Sequence, residues 1–367
     1  MSSKNIGKLL ELFDLGNDFS DDQLKSAYRD LVQVWHPDKY ENNDRLKERA
    51  ETKIKEINEA YGTLRALLEA RNNHVSANGG QKAKGKPSLL GSVFHPTDFS
   101  HESDAAFAHA LKIAVLANAR LNLFHVSPDK DRNVLPEFPK IRDTLIKWNV
   151  ISAENPEEDI AKMGFAYSKV IGVHSDPVSS ILNYLKSYPS DITVIATHGR
   201  SGIDRLVHKS VAEKVSRESG GMTLFLKKAD VGFVSQADGS VTLKNILVPV
   251  DVDPDPHLAA NAAMKFASLL GNGSCVFTLL FVGDPSRLPE IKHPDKDSWE
   301  WKHLTLQGNA VETILKVASE IPADLIVMGT QGHQGFLDAL RGNTTEQVLR
   351  GSHCPVLAVP ERRRWAR

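Results

Sequence analysis

Apolar residues recur at helical spacing through the first seventy positions and at strand spacing thereafter. Leu24, Ala27, Tyr28, Leu31 and Val34-Trp35 make one stripe. Ser20 with Gln23 forms a capping box and Phe19 staples onto Leu24, so a helix is predicted to begin at Asp21. It ends at His36, because Pro37 disfavours the α conformation there. A second stripe, Ala50, Ile54, Ile57, Tyr61, Leu64 and Leu68, steps by four and three, the spacing of one helix packing along another. Two antiparallel helices are therefore predicted, with the loop from His36 to Asp44 at their tip. A short helix near Ile6 to Phe13 covers the seam, giving an all-α hairpin unit over residues 1–72.

From Arg71 to Ser88 the chain turns polar, Gly-rich and Lys-bearing without an apolar period, which predicts a flexible linker over 73–87. Beyond it, short β-branched runs alternate with helical stretches, as in a parallel sheet covered by helices. This part repeats itself. An offset of 133 residues (196 to 329) lays Ala196-Thr-His-Gly199 on Gly329-Thr-Gln-Gly332. The same offset lays Ser210-Val-Ala-Glu213 on Asn343-Thr-Thr-Glu346, and Asp176-Pro-Val178 on Asn309-Ala-Val311. At the fronts, His95-Pro96-Thr97-Asp98 answers Val248-Pro249-Val250-Asp251. Two copies of one Rossmann-like α/β domain are expected, over 88–230 and 243–361, with a longer middle insertion in the first and a basic tail at 362–367.

Composition narrows the function. The 367 residues are 41% hydrophobic and carry 45 basic against 46 acidic side chains, a net charge of −1, so no chain-wide field exists to grip nucleic acid. Two cysteines, Cys275 and Cys354, are too few for a disulfide framework or a Cys-rich zinc site. Neither a signal-like leader nor a membrane-length apolar run is present, and a soluble cytoplasmic protein without structural metal is expected.

Ala27-Tyr28-Arg29, Trp35-His36-Pro37-Asp38-Lys39 and Lys55-Glu56-Ile57-Asn58-Glu59-Ala60-Tyr61 together resemble the J domain of DnaJ-type co-chaperones. The resemblance implies that His36, Pro37 and Asp38 dock on a DnaK-type heat-shock chaperone and stimulate its ATP hydrolysis, with Lys25, Arg29 and Lys39 as the basic surround. Asp30 and Val34 occupy positions that are often basic in that family. A second tripeptide, His293-Pro294-Asp295, lacks the flanking helical stripes and is expected to be an ordinary loop.

In the second repeat, Gly329, Gly332 and Gly342 are followed by Asn343-Thr344. With Asp251 at the end of its first strand and Val282 at the end of its second, this spacing resembles the ATP-binding branch of the universal stress protein family. The resemblance implies Asp251 and Val282 on the ribose and adenine side, and Gly329, Gly332, Gly342, Asn343 and Thr344 around the phosphates. It also implies ATP or a related adenine nucleotide, with or without magnesium, as ligand. Glycine-rich turns beside a helix N-terminus supply the backbone donors such a ligand needs. The first repeat keeps Asp98, Val126, Gly199 and Ser210 but has Ala196 and Lys209 in place of two glycines, so its site is expected to be degenerate. The family commonly pairs two such domains edge to edge, and a tandem chain can do so internally; association into a homodimer stays open.

Gly80 to Pro87 nearly spells a Walker A loop, but Pro87 stands where the magnesium-binding hydroxyl belongs. No nucleophile elbow, metalloprotease helix or arginine clamp occurs, and no catalytic residues are expected. The expected function is a stress-response co-chaperone carrying a nucleotide-binding module. The alternative is a nucleotide-binding stress sensor whose J domain is a weak address or a relic.

Overall fold

The structure, a computed structural model, describes residues 9–10, 12–13, 24, 27–28, 31–32, 44–77, 90–100, 102–127, 138–174, 176–197, 208–227, 232–271, 273–294, 296–330 and 344–361. It divides into two units, 1–86 and 87–367.

In the first unit Leu9, Leu10, Leu12, Leu24, Ala27, Tyr28, Leu31 and Val32 are helical, and helix α1 runs Asp44–Ala77. Leu10, Phe13, Leu24, Ile57, Ala60 and Leu64 are buried together, so the two apolar stripes face each other with the N-terminal segment across them. Tyr28 and Tyr61 stack at 4.3 Å, and the Tyr28 hydroxyl donates to Asn58 Oδ1 at 2.8 Å. The helix continues to Ala77, past Asn73, where the linker was expected to begin. No proline interrupts residues 44–77, and the first glycine pair, Gly79-Gly80, comes only afterwards. The capping box at Ser20 lies outside the described residues.

The second unit is built on one ten-stranded sheet. The first repeat contributes β1 (Ser92–Pro96), β2 (Arg120–Ser127), β3 (Tyr167–Val173), β4 (Ile192–Thr197) and β5 (Met222–Lys227), all parallel, in the order β3-β2-β1-β4-β5. Its helices are α2 (Glu102–Ala117), α3 (Ile141–Lys147), α4 (Pro156–Met163), α5 (Pro177–Ser187) and α6 (His208–Ser219). The pair α3 and α4 is the middle insertion, and α6 begins two residues before the expected Ser210. The second repeat supplies β6 (Asn245–Val250), α7 (Pro256–Leu270), β7 (Cys275–Val282), β8 (Trp299–Leu306), α8 (Ala310–Glu320), β9 (Leu325–Thr330), α9 (Thr344–Gly351) and β10 (Val356–Pro360). Its order, β10-β9-β6-β7-β8, mirrors the first. The half-sheets join where β5 and β10 pair antiparallel, with Leu224 opposite Leu357. The strands are runs such as Ile246-Leu247-Val248 and Ile326-Val327, apolar on both faces because helices cover both.

Between the repeats, residues 232–243 fold back as a strap, with a bridge from Val234 to Val241. Phe233 and Val234 are buried against α2, where the Nε2 of His109 accepts both their amides at 3.0 and 3.1 Å. The other ring nitrogen meets Ala105 O at 2.7 Å, which fixes the neutral tautomer with the proton on Nδ1. His293 of the second His-Pro-Asp tripeptide lies in an irregular segment, its ring stacked on Trp301 at 4.2 Å. No described helix is long and apolar enough to cross a membrane.

Candidate functional site

In each half-sheet the strand order reverses around its first strand, β1 or β6, and crevices in open α/β sheets lie at that reversal, outside the strands' carboxyl ends. In the second repeat an open cleft of about 150 Å³ occupies this place. Asp251, Val282, Gly329 and Thr344 all line it. Residues far apart in sequence are thus brought together from the ends of β6, β7 and β9 and the first residue of α9. Gly332, Gly342 and Asn343 fall outside the described residues, as do Lys25, Arg29, His36, Pro37, Asp38 and Lys39 of the first unit.

Three helices begin at this cleft. Pro256 opens α7, Ala310 opens α8 and Thr344 opens α9, and each lines the cavity. Unpaired amide groups at helix N-termini carry partial positive charge, so their convergence makes the crevice hospitable to anions. Two caps are already filled from within. Asp255 accepts from His257 N at 2.9 Å and Asn309 from Glu312 N at 3.2 Å. The His257 amide holds the Asp255 carboxyl below its ordinary range, outweighing the slight burial. The start of α9 carries the hydroxyls of Thr344 and Thr345. Across the cleft the exposed Asp251 carboxylate accepts, among the described residues, from Val252 N at 2.7 Å, and its other oxygen can serve hydroxyl donors of a ligand. Leu280, Val282, Ile314 and Met328 form the apolar floor.

Gly329 was expected in a turn, but it is part of β9, opposite Val359 of β10. Its need for glycine comes from a close approach. A Cβ there would stand 3.0 Å from Cγ of Pro254, in the loop that walls the cleft. Pro254 and Thr345 escaped the sequence reading. Thr345 had a usable signal, since the 133-residue offset pairs it with Ala212, a loss of hydroxyl between the repeats.

In the first repeat, aromatic rings stand at the positions of the second repeat's floor. The registers β1–β2 and β6–β7 make Phe124 the counterpart of Leu280, and Phe94 that of Leu247. The Phe94 and Phe124 rings, 5.7 Å apart, are buried with Ile181, while Tyr184 sits 4.7 Å from Phe124. A Cβ on Gly172 would lie 2.7 Å from Phe124 Cζ, so the strand beside it gives up a side chain to admit the ring. Val211 and Ala212 replace the two threonines. Asp98 is occupied as well. Its Oδ1 accepts from Ser100 N (3.0 Å), Ser100 Oγ (2.6 Å) and Ser103 Oγ (2.9 Å). Partial burial works against ionisation, but these bonds outweigh it and hold the carboxyl below its usual value.

Comparison with known proteins accounts for both units. The model of the universal stress protein family matches residues 92–227 and 300–360, more than half of the chain, and the DnaJ domain model matches residues 9–72. The chain belongs to the universal stress protein family. Its N-terminal unit is a J domain. Among curated relatives, universal stress protein MJ0531 of Methanocaldococcus jannaschii is 41% identical over 112 residues, 30% of this chain and 60% of that protein. Universal stress protein A homolog 1 of Coxiella burnetii is 40% identical over 72 residues, 20% of this chain and 49% of its own length. The chaperone protein DnaJ of Dichelobacter nodosus is 44% identical over 64 residues, 17% of this chain and 16% of that protein. The chain therefore spans less than two thirds of each of these relatives. A universal stress protein of Archaeoglobus fulgidus overlays with TM-score 0.49 and 18% identity, covering 74% of this chain and 96% of that one.

Proposed function

We propose that this universal stress protein is a stress-response co-chaperone. Its J domain recruits a DnaK-type chaperone through His36, Pro37 and Asp38, and its second repeat binds ATP or a related adenine nucleotide. The observation that carries the nucleotide half is the meeting of three helix N-termini, the Thr344 hydroxyl and the incompletely engaged Asp251 carboxylate in one crevice. Such a crevice suits a ligand that is anionic at one end and hydroxylated at the other. Asp251 would take ribose hydroxyls, Val282 would lie against the base, and Gly329, Gly332, Gly342, Asn343 and Thr344 would surround the phosphates. In this reading the site binds nucleotide and does not hydrolyse it.

The chaperone half rests on the Trp35-His36-Pro37-Asp38-Lys39 run between two helical stripes whose described residues pack against each other. Single-turnover ATP hydrolysis by a DnaK-type chaperone, with and without the protein, tests it. Stimulation that disappears in His36→Gln supports the reading. No stimulation by protein in excess over the chaperone sinks it and leaves a nucleotide-binding stress sensor, the outcome favoured by Asp30 and Val34 at positions where basic residues aid docking.

A further inference from the structure

Helix α9 enters the cleft with its first turn and is held from behind by the other repeat. Thr344 and Thr345 line the cleft, and the next residue, Glu346, accepts a 2.7 Å bond from Arg217 of α6. One turn on, Arg350 lies 3.7 Å from Glu213 of α6. At the far end, Nζ of Lys227, the last residue of β5, donates to the main-chain carbonyls of Arg350, at 2.9 Å, and Ser352. A cation there satisfies carbonyls at the helix terminus and meets the negative end of its dipole.

The ion pairs are symmetric between the repeats, but the lysine is not. The 133-residue offset turns Glu213 into Glu346 and Arg217 into Arg350, so the two ion pairs are images of each other. It turns Lys227 into Pro360, which has no side-chain donor to offer α6. The buried hydroxyl of Ser219, at the end of α6, finds no partner among the described residues. Its image Ser352 donates to Cys354 O at 3.1 Å. The lysine grip thus goes to the helix that opens onto the second repeat's cleft, while its image on α6 is missing.

We infer that Lys227, gripping the C-terminal end of α9 while Arg217 holds Glu346 in its first turn, is a positioning residue for the phosphate side of the cleft, holding the first turn of α9 where phosphate oxygens reach its amides. This rests on the nucleotide reading of that cleft. It gives the first repeat a part in the site of the second.

The test uses the full chain as wild type, Lys227→Met and Lys227→Arg. Affinities for ATP and for adenosine are measured by calorimetry, and amide exchange over 345–351 is followed without ligand. Lys227→Met is expected to weaken ATP about tenfold, as for loss of one charge-assisted bond. Adenosine affinity should stay unchanged, exchange in α9 should quicken, and Lys227→Arg should restore both. Where Lys227→Met fails to fold, Arg217→Gln takes its place, with a loss of ATP affinity of no more than about fivefold, adenosine affinity unchanged and faster exchange in α9. Unchanged ATP affinity, or unchanged exchange in α9, overturns the inference and leaves the nucleotide reading standing. Equal loss for ATP and adenosine makes Lys227 a general support of the fold and likewise overturns it. A wild type that binds neither ligand overturns the nucleotide reading and the role of Lys227 together.

Discussion

Leu224 and Leu357 are the same position in the two repeats, and they pair with each other across the seam of the sheet. A residue that meets its own image lies on a two-fold axis, and its neighbours obey the same operation: Phe225 pairs with Val356, and Thr223 with Ala358. The seam is therefore the isologous interface of a dimer, enclosed in one chain. Both leucines are fully buried at it. Leu357→Ala should cost about 2–5 kcal/mol by denaturant unfolding. The Arg217–Glu346 pair, half-exposed on the arginine side, should contribute no more than about 1 kcal/mol in a double-mutant cycle. A larger coupling for the ion pair than for the leucine would mean that charge and not burial holds the seam.

A single adenine nucleotide should bind per chain. Asp251→Ala should weaken it by about tenfold or more, because a hydroxyl donor then loses its charged acceptor. Asp98→Ala should leave the affinity unchanged, since Asp98 already spends its carboxylate on Ser100 and Ser103. Calorimetric stoichiometry decides this, and two equivalent nucleotides per chain would refute a single site in the second repeat.

Gly329→Val should disturb the cleft wall. Even a Cβ stands 3.0 Å from Pro254, and two further methyl groups must displace the 251–256 loop or strain β9. The expected loss is about 1–3 kcal/mol of stability, accompanied by weaker nucleotide binding. Thermal melting with and without ATP would reveal it as a reduced ligand-induced rise in Tm.

Acid should loosen the second unit before its carboxylates titrate. Burial lowers the pKa of His109 from 6.5 to about 4, only partly offset by its bond to Ala105. Burial does the same to His95, also to about 4, against the opposing influence of its Val194 bond and of Asp98 and Asp104. Between these limits the unfolded chain takes up protons that the folded one refuses. Stability is thus fully present above pH 6.5, declines as pH falls toward 4, and levels off below, by on the order of 3 kcal/mol per histidine. Tm measured from pH 7.5 to 4 should fall less steeply in His109→Gln than in wild type. Equal slopes would exclude His109 as a source.

Much of this architecture was legible before any coordinates. The helical stripes from Leu24 and from Ala50 meet in one core, and the 133-residue offset survives in the caps Asp176 and Asn309, each accepting amides at the start of its helix. Asp251, Val282, Gly329 and Thr344 stand around one cleft. What stayed hidden depends on proximity in space. Nothing in the run Gly329-Thr-Gln-Gly332 says that Pro254 rests on its first glycine, and no periodicity tells that three helices begin at one point. The divergence of the first repeat was visible as missing glycines, while its buried rings Phe94 and Phe124 look in sequence like ordinary strand residues.

Carrying both halves of a two-fold interface on one chain has an evolutionary consequence. Every substitution in a homodimer is made twice, so a lysine that clasps one helix must clasp its twin, and a phenylalanine set in one floor is set in both. Duplication within a single gene lifts that constraint. One copy is released to become scaffold while the other keeps an open pocket, and the symmetric seam persists as the part neither copy can change alone.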